Sequence, residues 1–283
     1  MDACPSDEVT IKDIATSFRG VVLDIFGVIH DGVKLYEPVH EALTRMRAAG
    51  MRICLLSNSP RRAGAVASRL SGMGLGPDLY CGLVTSGEMA RAALADSART
   101  PALGGRRYWH AGPPDLADLL DGLALERVGQ IGRADFLLAT ANMEEGDDLL
   151  RQAQQRGLPL VCANPDLEVM IAEKRIRCAG FLAARYEAIG GRVIRFGKPE
   201  LAAYVSALRV LDLPTTQVMA IGDSLATDIS GANRAGIRSA LVMTGVHHAE
   251  ACPNDVPDHQ VLAALYERYD AVPDVLLHRL SWS

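Results

Sequence analysis

Five short runs of β-favouring residues constrain this chain more than any other feature. They are GVVLD (20–24), RICLLS (52–57), LVTS (83–86), VMAIGD (218–223) and SALVMTG (239–245), each ending at a polar residue or a glycine. Uninterrupted runs of this length suit strands buried on both faces of a parallel sheet. Helix-like stretches lie between them: VHEALTRMRAAG (39–50), RAGAVASRLSGMG (62–74), ELAAYVSALRVL (200–211) and ATDISGANRAG (226–236). This alternation predicts an α/β fold with a doubly wound, Rossmann-like parallel sheet. Such sheets bind ligands outside the carboxyl ends of their strands, near the topological switch point. Asp24, Ser57 and Asp223 all stand at predicted strand ends. One shared site follows from that coincidence.

The rhythm breaks between about residues 87 and 189. RRYWHA (106–111), DFLLATA (135–141) and LPLVCANPD (158–166) are further strand candidates, with helices between them. The spacing predicts a second α/β unit over 87–189, inserted into a core made of residues 1–86 and 190–283. IGGRVIRFGKP would return the chain to the main sheet. The tail, DHQVLAALYERYDAVPDVLLHRLSW, reads as an amphipathic helix plus an extension packed on the core.

The bulk properties exclude several function classes. A net charge of -5 over 283 residues gives no electrostatic case for nucleic acid or an anionic membrane. The acidic, polar start MDACPSDEVTIKDIATSF lacks the basic-then-apolar order of a signal peptide. No apolar run approaches the roughly 20 residues needed to span a bilayer. Cys4, Cys54, Cys81, Cys162, Cys178 and Cys252 are scattered, with no C-x-x-C pair. They read as reduced thiols rather than a disulfide or zinc framework, which suits a soluble, cytoplasmic protein.

The candidate chemistry gathers at the strand ends. Asp24 taken alone reads as a polar turn residue rather than as a nucleophile or a metal ligand. Its company changes that reading. LLSNSP places the Ser57 hydroxyl and the Asn58 amide at the next strand end, where they can hold an anionic oxygen. FGKPE supplies Lys198, one of only four lysines in the chain. A lysine before a proline at a helix start sets a compact cation beside N–H groups that favour phosphate. IGDSLATDISGA adds Asp223 and Asp228, whose hard carboxylate oxygens are what Mg²⁺ takes.

The ordered set D-x-x-G-V, S-N, G-K-P and G-D-x-x-x-T-D resembles the haloacid dehalogenase (HAD) superfamily. The unit inserted between the second and third motifs, with ANPD (163–166), is similar to the α/β cap of its NagD-like subfamily IIA. The resemblance spans roughly residues 15 to 250. It implies a Mg²⁺-dependent phosphatase acting on a small organic phosphate such as a sugar phosphate or nucleotide. Asp24 would be the nucleophile that forms an aspartyl-phosphate. Asp24, Asp223 and the backbone carbonyl of Phe26 would hold the metal. Lys198 and Ser57, with help from Asn58, would neutralise and position the phosphoryl oxygens. Asp228 would fix Lys198 or a metal-bound water. Asn164 and Asp166 resemble the family's substrate-facing cap loop. A cap-to-cap homodimer would be unsurprising.

Phe26 departs from the phosphatase pattern, which has at this position an aspartate that protonates the leaving oxygen and then activates water. FGVIHDG resembles a subset of the subfamily with an aromatic here. Three explanations stand open: a substitute acid, with His30 or Asp31 as candidates; a carbon–halogen or phosphonate bond as substrate; or a binding protein with little turnover. The dehalogenases need no metal, whereas Asp223 and Asp228 keep the acidic motif. A phosphonate-cleaving reading would need Lys174, which AEKRIR presents as part of a solvated face. His247 and His248 read as a surface loop, and Trp109 and His110 as cap-core side chains.

Overall fold

The computed structural model describes residues 9–96, 103–144, 146–171 and 174–283, so Cys4 lies outside the described residues. The main sheet is made of Gly20–Leu23 (β1), Arg52–Ser57 (β2), Gly82–Thr85 (β3), Val218–Gly222 (β11), Arg238–Val242 (β12) and Val275–Leu277 (β13). Its order is β13-β12-β11-β1-β2-β3, and every pairing is parallel. Side chains alternate between two cores. Val21, Leu23, Ile53, Leu55, Met219 and Ile221 pack on one face, against helices Ile11–Ser17, Val39–Ala48 and Ala63–Gly72. Val22, Cys54, Leu56, Val218 and Ala220 pack on the other, against Leu201–Leu211 and Ser230–Ala235. Burial on both faces is why these strands read as unbroken apolar runs.

A second sheet is made of Arg107–Ala111 (β4), Glu126–Arg127 (β5), Phe136–Ala139 (β6), Leu160–Cys162 (β7) and Val193–Arg195 (β10). Its order is β10-β7-β6-β4-β5, again all parallel. It has its own cores on both faces. Between β7 and β10 an antiparallel hairpin, Glu168–Ile171 (β8) with Lys174–Arg177 (β9), stands apart from both sheets.

Two sequence readings are corrected here. VIR (193–195) does not return the chain to the main sheet: helix Ala179–Ala188 carries it back beside β7, as the edge strand of the cap sheet. The tail extension is more than packing, because Val275–Leu277 is the sixth strand of the main sheet. In both cases a strand of only three residues is too short to show which sheet takes it.

Candidate active site

The switch point falls between β1 and β11, since β2 and β3 continue to one side and β12 and β13 to the other. Leu23 is level with Leu55 on one neighbour and Ile221 on the other. The residues that follow these strands therefore meet at one edge. Asp24 is held there by its own N–H, which donates to the Ile221 carbonyl at 2.9 Å. Asp228 comes from the one-turn π-helix Leu225–Ile229. Tyr204, fully buried, donates its hydroxyl to the Asp228 carbonyl at 2.7 Å and pins that turn. The carboxylates of Asp24, Asp223 and Asp228 are all buried and offer oxygens within 4.8 Å of one another.

Lys198, 2% exposed, lies between two of them. Its ammonium pairs with Asp24 and, at 2.7 Å, with Asp228. Burial disfavours the ammonium, but Asp228 and Asp24 outweigh it and hold the Lys198 pKa well above the usual lysine range. Burial pushes Asp24 up, and pushes Asp223 well up with the Asp24 charge adding to it. Asp223 is offset only in part by the Val246 N–H, which donates to it at 2.7 Å. Glycines make that approach feasible. A Cβ on Gly27, whose φ is +82°, would lie 2.2 Å from Asp223 Oδ2, and one on Gly245 only 1.8 Å from it. Three buried carboxylates with one lysine leave negative charge in excess. An all-oxygen set of this kind fits a hard divalent cation such as Mg²⁺.

Ser57 is buried at the end of β2, and its Oγ accepts the Ser59 N–H at 3.1 Å. Asn58, expected to help hold phosphoryl oxygens, is fully bonded to protein groups. Its Oδ1 accepts the Lys198 N–H at 2.7 Å and the Ser86 hydroxyl at 3.1 Å. Its Nδ2 donates to the Lys198 carbonyl at 3.0 Å and to Asp166 at 2.7 Å. That uses the full capacity of the amide, so Asn58, which also lines the cleft, bolts the cap loop to both core–cap crossings. Asn164 accepts the Asp166 N–H at 3.1 Å in an Asx turn, and both residues line the cleft. Burial pushes Asp166 up to about 6 against the pull of Lys198.

Phe26 also lines the cleft, beside Asp24. His30 does not, which corrects its reading as the substitute acid. It is 4% exposed, packs edge-on to the Phe26 ring at 5.1 Å and accepts the Gly32 N–H on Nδ1 at 3.0 Å. Burial and the nearby Arg69 push its pKa down to about 4, so at neutral pH it has no proton to give as an imidazolium. Asp31 reaches the cleft, but the Val33 and Lys34 N–H groups bind its carboxylate at 2.8 and 2.9 Å and favour the ionised form.

Some residues of the cleft, which holds about 520 Å³, escaped the sequence reading: Arg69, Glu168, Val169, Met170 and Arg175. No motif marks them; a basic, apolar-alternating hairpin after ANPD is the one signal that could have. His247 is not at the surface as read. It is 5% exposed, accepts the Leu225 N–H on Nε2 at 3.2 Å and packs against Tyr269. Lys174 is exposed, as its sequence context implies.

The chain is similar to known proteins over most of its length. A model of haloacid dehalogenase-like hydrolases matches residues 21–126, and a HAD-hydrolase-like model matches 195–267. The chain is 27% identical to the sugar-phosphatase AraL of Bacillus subtilis over 239 residues, covering 82% of this chain and 86% of that one. Its fold superposes on a haloacid dehalogenase-like hydrolase from Brucella suis with a TM-score of 0.80 and 31% identity, covering 94% and 97% of the two chains. It also resembles a glycerol phosphate phosphatase from Mycobacterium tuberculosis, solved in complex with magnesium. That match has a TM-score of 0.70 and 26% identity, over 94% of this chain and 76% of that one.

Proposed function

Because the chain belongs to the haloacid dehalogenase-like hydrolases, as a phosphoric monoester hydrolase of their NagD-like branch, we propose that it dephosphorylates a small organic phosphomonoester, such as a sugar phosphate or nucleotide, through an aspartyl-phosphate on Asp24. The observation that carries this reading is the buried lysine shared by Asp24 and Asp228, with Asp223 alongside, at the switch point of the sheet. Mg²⁺, held by the carboxylates of Asp24, Asp223 and Asp228 and the carbonyl of Phe26, would neutralise phosphate charge when bound.

The chain's own residues do the rest. A carboxylate oxygen of Asp24 attacks phosphorus, and the bond from phosphorus to the leaving oxygen breaks. Lys198 and the Ser57 hydroxyl neutralise and position the transferring oxygens, while Asp228 keeps the lysine oriented. Water then attacks the phosphorus of the aspartyl-phosphate, releasing phosphate and restoring Asp24. Such transfer rests mainly on positioning and charge neutralisation, which explains a site of lysine, hydroxyl and carboxylates. The buried acidic triad favours this reading over metal-free dehalogenation. The inserted unit, whose sheet extends beyond the expected boundary at 189 to Val193–Arg195, serves as the cap that selects substrate, with Asn164 and Asp166 lining the cleft. The same reading puts the enzyme in the cytoplasm, away from nucleic acid and membrane, and is compatible with a homodimer.

Phosphate release from a panel of small phosphomonoesters, with Mg²⁺ and after EDTA, tests the proposal. Turnover should vanish on chelation and in Asp24→Asn, and Asp223→Ala should lose Mg²⁺ binding by calorimetry. Full activity after EDTA would overturn it.

A further inference from the structure

Two arginines line the cleft, one from the core and one from the cap. Arg69, from the core helix Ala63–Gly72, donates to the Gly32 carbonyl. Among the described residues no carboxylate pairs with it. Arg175 comes from the cap hairpin, level with Met170 across the strands. Its only carboxylate partner among the described residues is Glu168 at 3.0 Å, in an ion pair open to solvent and therefore readily exchanged. Gly32 brings the two sides together. A Cβ placed on it would lie 2.8 Å from the Phe26 ring and 3.4 Å from Ile171 at the hairpin tip. The Arg69 anchor thus adjoins Phe26 and the hairpin that bears Arg175.

Other groups of the lining are committed or apolar. Lys198 is already paired with Asp24 and Asp228. Phe26, Val169 and Met170 add apolar surface to the same cleft. The two arginines share that lining, and among the described residues Arg69 has no partner carboxylate. The acidic group nearest by sequence, Asp31, is bound to backbone N–H groups. Guanidinium forks match the oxygens of carboxylates and phosphates.

We propose that Arg69 and Arg175 form a second anion subsite, so that the preferred substrate is a short-chain phosphomonoester with a carboxylate or a second phosphate at the end remote from the scissile bond. This rests on the phosphatase reading above and narrows its substrate class.

The test compares three-carbon phosphates that differ at the far end: glycerol 3-phosphate (neutral), 3-phosphoglycerate (carboxylate) and propane-1,3-diyl bisphosphate (phosphate). p-Nitrophenyl phosphate serves as the reference. Wild type should show kcat/KM at least about tenfold higher for one or both doubly anionic compounds than for glycerol 3-phosphate. Which of the two is preferred identifies the anion. Arg175→Gln, on an exposed hairpin, and Arg69→Gln should each lower the ratio of kcat/KM for that compound to kcat/KM for p-nitrophenyl phosphate by about tenfold, through KM. A purely structural arginine would lower both substrates alike and leave the ratio unmoved, which would overturn the proposal, as would a wild type that prefers the neutral compound. If no phosphomonoester is turned over, the phosphatase reading has failed separately. Calorimetry with 3-phosphoglycerate, the bisphosphate and glycerol 3-phosphate then still decides the subsite, since equal affinities would refute it.

Discussion

At position 26 a ring stands beside Asp24, the proposed nucleophile, and a ring neither takes nor gives a proton. With His30 buried beneath it and poor in protons, leaving-group quality should govern the rate. Aryl phosphates, which leave as stable anions, should react faster than alkyl phosphates. Phe26→Asp should raise alkyl turnover by up to about 10²-fold, narrowing the aryl-to-alkyl ratio of kcat/KM, and His30→Ala should leave that ratio where it is. A wild type indifferent to the leaving group would show that an acid has been overlooked. His247 supports a different prediction, in stability. Burial pushes its pKa to about 4, below the unfolded value near 6.5, so between these values the unfolded chain binds more protons. Stability should therefore fall as pH drops from 6.5 to 4, by up to about 3 kcal/mol from this residue. His247→Gln should flatten that limb in urea melts taken across the range; an unchanged slope would count against it.

Among the elements, the strands that carry Asp24 and the acidic motif were legible because burial on both faces leaves an apolar run with an acid at its end. Shorter elements were not. Val193–Arg195 and Val275–Leu277 take their sheets from crossovers that the chain makes elsewhere. The hairpin over Glu168–Arg177 is mostly exposed or half-buried and so lacks a buried periodicity. The π-turn Leu225–Ile229 was read as ordinary helix, because the hydroxyl that pins it comes from Tyr204, 24 residues away from Asp228. Tyr204→Phe removes that donor from a buried carbonyl. It should cost about 1–3 kcal/mol in chemical denaturation and lower kcat as Asp228 and Lys198 lose register. Loss of stability with kcat intact would mean that the turn holds itself.

For the whole molecule, cap and core are coupled in part through Asn58, which bonds Lys198, Ser86 and Asp166 together, and in part through Arg61, which pairs with Asp115. Asn58→Ala strands several buried polar groups at once. It should destabilise the protein by roughly 2 kcal/mol or more and raise KM for every substrate, as the cap loop loses its fixed distance from the site. Stability and KM both near wild type would show that the two sheets are held by other contacts. The sequence by itself determined the fold class, the insertion of a second α/β unit and the strand-end positions of Asp24, Ser57 and Asp223. These follow from local periodicity and from the polar residues that terminate apolar runs. Only the tertiary structure decided what each side chain is committed to. It turned Asn58 into a bolt, buried His30 against Phe26 and brought Arg69 and Arg175 into the lining of one cleft. Those outcomes depend on hydrogen-bond partners and burial set by residues up to 140 positions apart, which no local pattern encodes.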